Sequence, residues 1–66
     1  MKLIDFLDLV SDEQQNIIVV YADDFMVEGE KESIDCMLSE DVYKGIVTDV
    51  EASGETLKLW VKETTP

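Results

Sequence analysis

The sequence predicts an α+β domain in which about four strands form a small antiparallel sheet and two short helices cover one of its faces. Two segments have apolar residues at helical spacing, and others alternate in polarity or are rich in β-branched residues. They follow one another in the order α-β-β-α-β-β, which is typical of helices packed on one side of an antiparallel sheet. Because the chain has 66 residues, we expect a single small acidic domain spanning 1–66.

The first half of the chain predicts a helix and two strands. Apolar positions at helical spacing indicate a short amphipathic helix over about residues 2–10: Leu3, Ile4, Phe6, Leu7 and Val10. Residues 11–16 are polar and predict a loop. Residues 17–21 are β-branched and aromatic, and they are apolar on both faces, as expected of a central strand. Residues 22–24 predict a hairpin turn, after which residues 25–30 return as a second strand.

The second half predicts a helix and two further strands. Ile34, Met37 and Leu38 are spaced as on one face of a helix over residues 32–38. Residues 39–41 are expected to end this helix. The next run, residues 42–51, alternates well enough for a third strand, and residues 56–62 alternate strictly.

A two-residue turn at Ser53-Gly54 predicts how the last two strands pair. Counting outward from it gives three pairs that should face the core: Val50 with Leu57, Thr48 with Leu59, and Ile46 with Val61. The opposite face should pair Asp49 with Lys58 and Val47 with Trp60.

The charge balance limits the function more than any motif does. Sixteen Asp and Glu residues stand against five Lys, with no Arg and no His, and the formal net charge is −11 at pH 7. Such a chain lacks the usual proton-transfer side chain and the usual two-point phosphate ligand, so we expect neither an enzyme nor direct nucleic-acid binding. Anionic lipid surfaces would repel it, and no apolar run approaches a membrane span. We expect a cytoplasmic protein of a bacterial host.

The reactive side chains do not predict a catalytic or metal site. Cys36 is the only cysteine and has no His partner, so we expect it to be a small buried or half-buried residue of the second helix. Adjacent acids such as Asp23-Asp24 and Glu40-Asp41 are expected to be solvated turn and cap residues. The clusters of Cys and His that bind transition metals are missing, and the acids do not follow the EF-hand order. We therefore expect no cofactor.

The acidic run over residues 23–41 is the first candidate for partner binding. It has one basic residue, Lys31, and eight acids: Asp23, Asp24, Glu28, Glu30, Glu32, Asp35, Glu40 and Asp41. A surface of this kind could occupy the basic groove of a protein that handles nucleic acid, as a DNA mimic does. The alternative is that the acidity only keeps the chain soluble.

Trp60 is the second candidate, because strict alternation places it on the sheet face opposite the core. Exposed Trp side chains are frequent hot spots in interfaces. With Val47 and Tyr43 it would form a small apolar patch. Three outcomes are open for it: contact with a partner, coverage by the second helix of the domain, or burial in a homodimer.

The chain resembles the small acidic proteins encoded by phages and prophages of Gram-positive bacteria. The resemblance rests on the opening helix at residues 2–7, the strand at 17–21 and the closing strand at 57–61. It covers most of the length, but it is one of style and order rather than of a diagnostic motif. Some small acidic phage proteins are anti-defence proteins, including anti-CRISPRs and DNA-mimic inhibitors of restriction enzymes. The resemblance implies an inhibitor and assigns no role to any residue.

These observations lead to one expected function and one alternative. The expected function is a non-catalytic inhibitor of the anti-CRISPR kind, whose acids bind a basic surface of a nucleic-acid-handling host protein such as a CRISPR effector, with Trp60 or Tyr43 as an apolar anchor. The alternative is a homodimeric structural or regulatory accessory domain that pairs through the Trp60 face and is acidic only for solubility.

Overall fold

The structure is a computed structural model that describes residues 1–63. In chain order its elements are α1 (Leu3–Leu9), β1 (Asn16–Tyr21), β2 (Phe25–Glu30), α2 (Lys31–Met37), α3 (Glu40–Tyr43), β3 (Ile46–Ser53) and β4 (Thr56–Lys62). The predicted α+β class and the order of the principal elements are confirmed. The strands β2 and β4 have the predicted bounds, while α1, β1 and α2 begin and end within one residue of those predicted.

The four strands form one mixed sheet in the order β2-β1-β4-β3. β2 pairs with β1 and β3 with β4 as antiparallel hairpins, whereas the two central strands, β1 and β4, run parallel. The prediction of an entirely antiparallel sheet is therefore wrong at its centre. The reason is that the two most apolar strands come from different hairpins, and burying them together requires a long-range pairing that no local turn signal encodes.

A third short helix lies where the sequence predicted the end of α2 and the start of a strand. Residues 40–43 form α3, and β3 begins only at Ile46. The alternation read as a strand over residues 42–51 includes Val42, which is buried from a helix instead. Gly45 ends this segment, and its backbone N–H donates to the carbonyl of Val42 at 3.0 Å.

The last hairpin has a different register from the one predicted. Its turn residues are Gly54 and Glu55, so Ser53 pairs with Thr56 and Val50 pairs with Leu59. Gly54 has a φ of +62°, which suits the first central position of a type II′ turn. The prediction placed this glycine second in the turn, after Ser53, and the observed pairing is therefore shifted by two residues from the predicted one.

A β-bulge in β3 exchanges the predicted faces of its first residues. The register changes between Val47 and Asp49, so that Val47 pairs with Val61 and Asp49 pairs with Trp60. Thr48 is the extra residue. Val47 consequently packs against the core, contrary to its predicted position beside Trp60. Thr48, predicted to face the core, is exposed.

The core lies between the helices and one face of the sheet. The helical side contributes Leu3, Leu7, Ile34, Val42 and, directly after α2, Leu38, and the central strands contribute Ile17, Val19, Leu59 and Val61. Burying a side chain of this size contributes about 1.5–3 kcal/mol. The parallel pair β1–β4 supplies all the strand residues of this core, so the packing of the domain depends on that pairing.

Gly45 is the position where a single added carbon is expected to cost the most. An alanine Cβ there would lie 2.5 Å from Val61 Cγ1 and 2.9 Å from the carbonyl oxygen of Lys62. Because that oxygen belongs to the backbone, the clash cannot be relieved by a rotamer change. We expect Gly45→Ala to lower the free energy of unfolding by about 2 kcal/mol or more in urea denaturation.

Gly29→Ala is the matched control. Its Cβ would lie 3.0 Å from Met37 Cε, the end of a flexible and exposed side chain that can move away. We expect a change within about 1 kcal/mol of the wild type. Equal losses in the two variants would contradict the packing described around Gly45.

Candidate functional site: the open sheet face

One face of the sheet carries none of the helices formed by residues 1–63. Residues with side chains on the other face, such as Ile17, Val19, Leu59 and Val61, are buried against α1, α2 and α3. Side chains alternate between the faces of a strand, so residues 18, 20, 58 and 60 point away from the helices. We call this second surface the open face.

The centre of the open face is apolar. Ile18 lies opposite Lys58, and Val20 lies opposite Trp60, in the parallel register of β1 and β4. These side chains are only half-buried in the monomer. Met26 extends the Val20–Trp60 row onto β2 and is 66% exposed. A shallow hollow of about 240 Å³ lies beside the indole, lined in part by Val20 and Asp49.

A lysine from the same strand lies against the indole ring. The Nζ atom of Lys58 is 5.0 Å from the centre of the Trp60 ring, within the range of a cation–π interaction. The pair is two residues apart on β4 and so shares the open face. The indole of Trp60 therefore remains partly accessible to solvent, although the Lys58 ammonium already lies against its ring.

Carboxylates border this apolar centre on both outer strands. We call Glu28 and Glu30 of β2 and Asp49 and Glu51 of β3 the rims of the open face. Their side chains share this face because Glu28 pairs with Ile18, Glu30 with Asn16, Asp49 with Trp60 and Glu51 with Lys58. All four are exposed. Neighbouring strands lie about 4.8 Å apart, so three spacings separate the rims by roughly 14 Å.

The predicted site residues divide among three regions of the surface. Glu28, Glu30 and Trp60 lie on the open face, and Asp23 lines the hollow beside Trp60. The remaining predicted residues lie at the end of the sheet or on the helical side. The acidic run is thus continuous in sequence but does not form one surface.

A second hollow, of about 600 Å³, lies at the end of the sheet near the β1–β2 turn. Asp24, Asp41 and Glu63 line it together with Tyr21 and Lys44. Desolvation, followed by the negative charges of Glu63 and Asp41, raises the pKa of Tyr21. The Glu63 and Asp41 carboxylates therefore lie close enough to the phenol to act on it electrostatically.

Glu32, Asp35, Glu40 and Tyr43 lie on the helices, on the side of the sheet opposite Trp60. The Tyr43 hydroxyl lies 3.2 Å from Asp35 Oδ1 and 3.3 Å from the carbonyl oxygen of Ile34, so it joins α3 to α2. Tyr43 also packs against the core. The predicted patch of Trp60, Val47 and Tyr43 is therefore wrong, as is coverage of Trp60 by the second helix.

Three carboxylates lie within ion-pair distance of lysines in residues 1–63. Lys31 Nζ is 3.4 Å from both Glu13 Oε1 and Asp35 Oδ2, and Lys44 Nζ is 3.0 Å from Glu40 Oε1. Lys31 is buried, and desolvation lowers its pKa, but Asp35 and Glu13 outweigh this effect and raise it. Each of these ion pairs includes a residue of α2 or α3, so the rims of the open face take no part in them.

The open face includes residues that were not predicted as part of a binding site. Ile18 and Val20 were recognised as strand residues, and Asp49 was expected opposite Lys58 instead of Trp60. A signal for the apolar centre was present, since residues 17–21 are apolar on both faces while the two predicted helices suffice to cover one.

The thiol and the acidic side chains are the reactive groups that the sequence analysis considered. Cys36 is exposed, contrary to the prediction of a buried or half-buried thiol, because it faces solvent from α2 while Ile34 faces the core. In residues 1–63 no three acidic, Cys or His side chains are grouped as a metal would need. Over the same residues, no helix is both long and apolar enough to cross a membrane.

Comparison with protein-family models, with curated proteins and with solved structures finds no match to this chain. Arguments about its function therefore rest on its own residues.

The raised pKa of Tyr43 predicts how the stability of the domain responds to alkaline pH. Desolvation and the nearby Asp35 carboxylate raise its pKa to about 12. The unfolded chain loses this proton near the ordinary value of 10.0, so the folded state binds more protons between about pH 10 and 12 and becomes less stable as pH rises. After allowance for solvent screening, the loss should be on the order of 1 kcal/mol.

The Tyr43→Phe variant isolates this contribution. At neutral pH it should unfold with a free energy lower by about 0.5–1.5 kcal/mol, because its hydrogen bonds to α2 are lost. Urea denaturation at several alkaline pH values should then show a shallower decline than the wild type. Identical declines would show that the Tyr43 phenol is not held by Asp35.

Proposed function

We propose that this chain is a non-catalytic inhibitor, of the phage-encoded anti-CRISPR kind, that binds a basic surface of a nucleic-acid-handling protein. The observation that carries the proposal is the exposure of all sixteen acidic side chains. Only Glu13, Asp35 and Glu40 of these lie within 4 Å of a lysine ammonium in residues 1–63. The protein therefore presents a dense, solvated negative surface, which attracts a basic surface over long range.

The dimensions are compatible with mimicry of a short nucleic acid. The long axis of the molecule is 33 Å, close to one turn of duplex DNA at about 34–36 Å. Duplex of that length carries roughly 19 phosphate charges at about 1.7 Å per charge. The sixteen carboxylates approach this number, although five lysines reduce the net charge to −11. A basic channel of matching length could thus accept the protein in place of nucleic acid.

The composition favours binding over turnover. The chain has no His and no Arg, and the described residues offer no cluster suited to a metal. The apolar centre of the open face adds the kind of contact that steering charges alone do not supply, since aromatic side chains dominate interface energies. Electrostatic attraction would set the rate of association, and the Trp60 row would set the lifetime of the complex.

Affinity capture at two salt concentrations tests this function. The immobilised chain is incubated with lysate of a CRISPR-bearing Gram-positive bacterium, and bound proteins are identified by mass spectrometry. We expect a nucleic-acid-processing enzyme to be retained at about 50 mM salt and largely lost at about 500 mM, because exposed charges are then screened. The purified enzyme should lose nucleic-acid binding when the chain is added.

Two neutralised variants with equal charge locate the contact. The open-face variant carries Glu28→Gln, Glu30→Gln, Asp49→Asn and Glu51→Gln. The helix-side control carries Asp5→Asn, Asp8→Asn, Glu32→Gln and Glu40→Gln. We expect the first to inhibit at least about tenfold less well than the second. A captured partner that is indifferent to salt, or equal loss in both variants, would contradict binding through the open face.

Homodimerisation through the open face is the alternative function, and the partly exposed Met26–Val20–Trp60 row favours it. The charge distribution opposes it, because two copies meeting there would bring their acidic rims together. We expect a monomer in sedimentation at about 100 µM in low salt. A dimer that dissociates on Trp60→Ala, with the fold retained, would replace the inhibitor by an accessory domain.

A further inference from the structure

The arrangement of charge and apolar surface on the open face points to one kind of occupant. Ile18 and Val20 of β1 and Trp60 of β4 form an apolar stripe along the two central strands. The rims border the stripe on both sides, with Glu28 and Glu30 on β2 and Asp49 and Glu51 on β3. Across the strands one row reads Glu28, Ile18, Lys58, Glu51 and the next reads Met26, Val20, Trp60, Asp49. Carboxylates thus end the first row on both sides and the second row on the β3 side.

We propose that the open face binds a cationic amphipathic helix of the partner, lying along β1 and β4 with its apolar side on Trp60 and Val20. This inference rests on the proposed function, since it names the part of the basic partner that the chain recognises. An α-helix with its side chains is about 10–12 Å wide. It fits between rims that lie roughly 14 Å apart. Lys and Arg on the flanks of such a helix can extend to both rims while their stems cover apolar surface.

The length of the central strands sets the length of the helix. β1 has six residues, Asn16–Tyr21, and a strand rises about 3.3 Å per residue, so the open face is roughly 20 Å long in this direction. At about 1.5 Å per residue, a helix of roughly 13 residues spans it. Four carboxylates on the rims are enough to pair with two basic residues on each flank.

Two lysines of β4, Lys58 and Lys62, share this face and oppose a cationic ligand. Lys58 is the one that lies against the indole. Its Nζ lies over the Trp60 ring at 5.0 Å, and Glu51 pairs with it across the strands. A docked helix must displace the ammonium from the ring and brings further positive charge close to it. Replacement of Lys58 by Met keeps a long flexible stem and removes the charge. The helix model therefore predicts that Lys58→Met strengthens binding, whereas an anionic ligand would be bound less well.

A designed peptide tests the inference without a captured partner. The probe is a Leu–Lys peptide of about 14 residues, with Leu at helical spacing and Lys on both flanks. Its control is a scrambled peptide of the same composition without that spacing. The chain has one Trp, so its emission reports on the open face while the peptide is silent. We expect a shift of the emission to shorter wavelength and a helical circular-dichroism signal in the complex.

The variants of the chain give the expected pattern. The amphipathic peptide should bind at least about tenfold more tightly than the scrambled one. Neutralising the rims with Glu28→Gln, Glu30→Gln, Asp49→Asn and Glu51→Gln should weaken it by a similar factor. The helix-side control, Asp5→Asn, Asp8→Asn, Glu32→Gln and Glu40→Gln, should bind as the wild type does. Lys58→Met should bind the peptide more tightly than the wild type.

Several results would overturn the inference. Equal binding of the two peptides would mean that charge alone is recognised, and weaker binding by Lys58→Met would mean that the face does not take a cationic helix. If the Trp60 emission shifts when the concentration of the chain is raised without peptide, the open face binds a second copy of the chain instead. If these tests fail while capture of the enzyme remains salt-sensitive, the docking mode is wrong and the proposed function stands. If the enzyme is not captured either, both are wrong.

Discussion

The parallel pairing of β1 with β4 is the constraint on which the rest of the structure depends. Each hairpin is local, and neither has enough apolar surface to be stable alone. Their first and last strands join along residues 16–21 and 56–61, so the two halves share one core. The same pairing places four consecutive apolar residues of β1 at the centre of the sheet, where alternate ones must face opposite sides. One set meets the helices, and the other forms the centre of the open face.

Acidic side chains on the outer strands serve the monomer before they serve any partner. An edge strand exposes unpaired backbone groups and invites other chains to add to the sheet. Charges on β2 and β3, with the bulge at Thr48, discourage this addition. The first part of β3 is also covered by the amino terminus, whose Met1 carbonyl accepts from the N–H of Val47 at 2.8 Å. The rims thus work against strand addition at the sheet edges, and under the proposed function they would also contact the basic partner.

The local features were accessible from sequence, and the long-range ones were not. Period and composition predicted α1, β1, β2, α2 and β4 because those signals lie within a few residues of each other. The parallel contact of β1 with β4 joins segments about 40 positions apart, and no turn residue records it. The bulge at Thr48 and the position of Gly54 in its turn depend on how β3 meets the sheet. Together, the bulge and the turn determine that Asp49, and not Val47, lies beside Trp60.

Only those features of the candidate site that depend on local sequence could be predicted. Strict alternation correctly placed Trp60 away from the core, and the acid count correctly indicated a negative surface. Yet proximity in sequence made the acids of residues 23–41 look like one patch, while the fold divides them between the β2 edge, the sheet end and the helices. Tyr43, expected as an anchor beside Trp60, is instead a link between α3 and α2.

Quenching of Trp60 fluorescence in the isolated chain tests the central claim most directly, because the single indole samples both the openness and the sign of charge of this face. Neutral acrylamide reports access, and caesium and iodide ions report the local potential at low salt. With each ion referred to its quenching of free N-acetyltryptophanamide, we expect ready quenching by acrylamide and clearly stronger relative quenching by caesium than by iodide. An indole protected from acrylamide, or one with equal relative quenching by both ions, would contradict an open sheet face bordered by carboxylates.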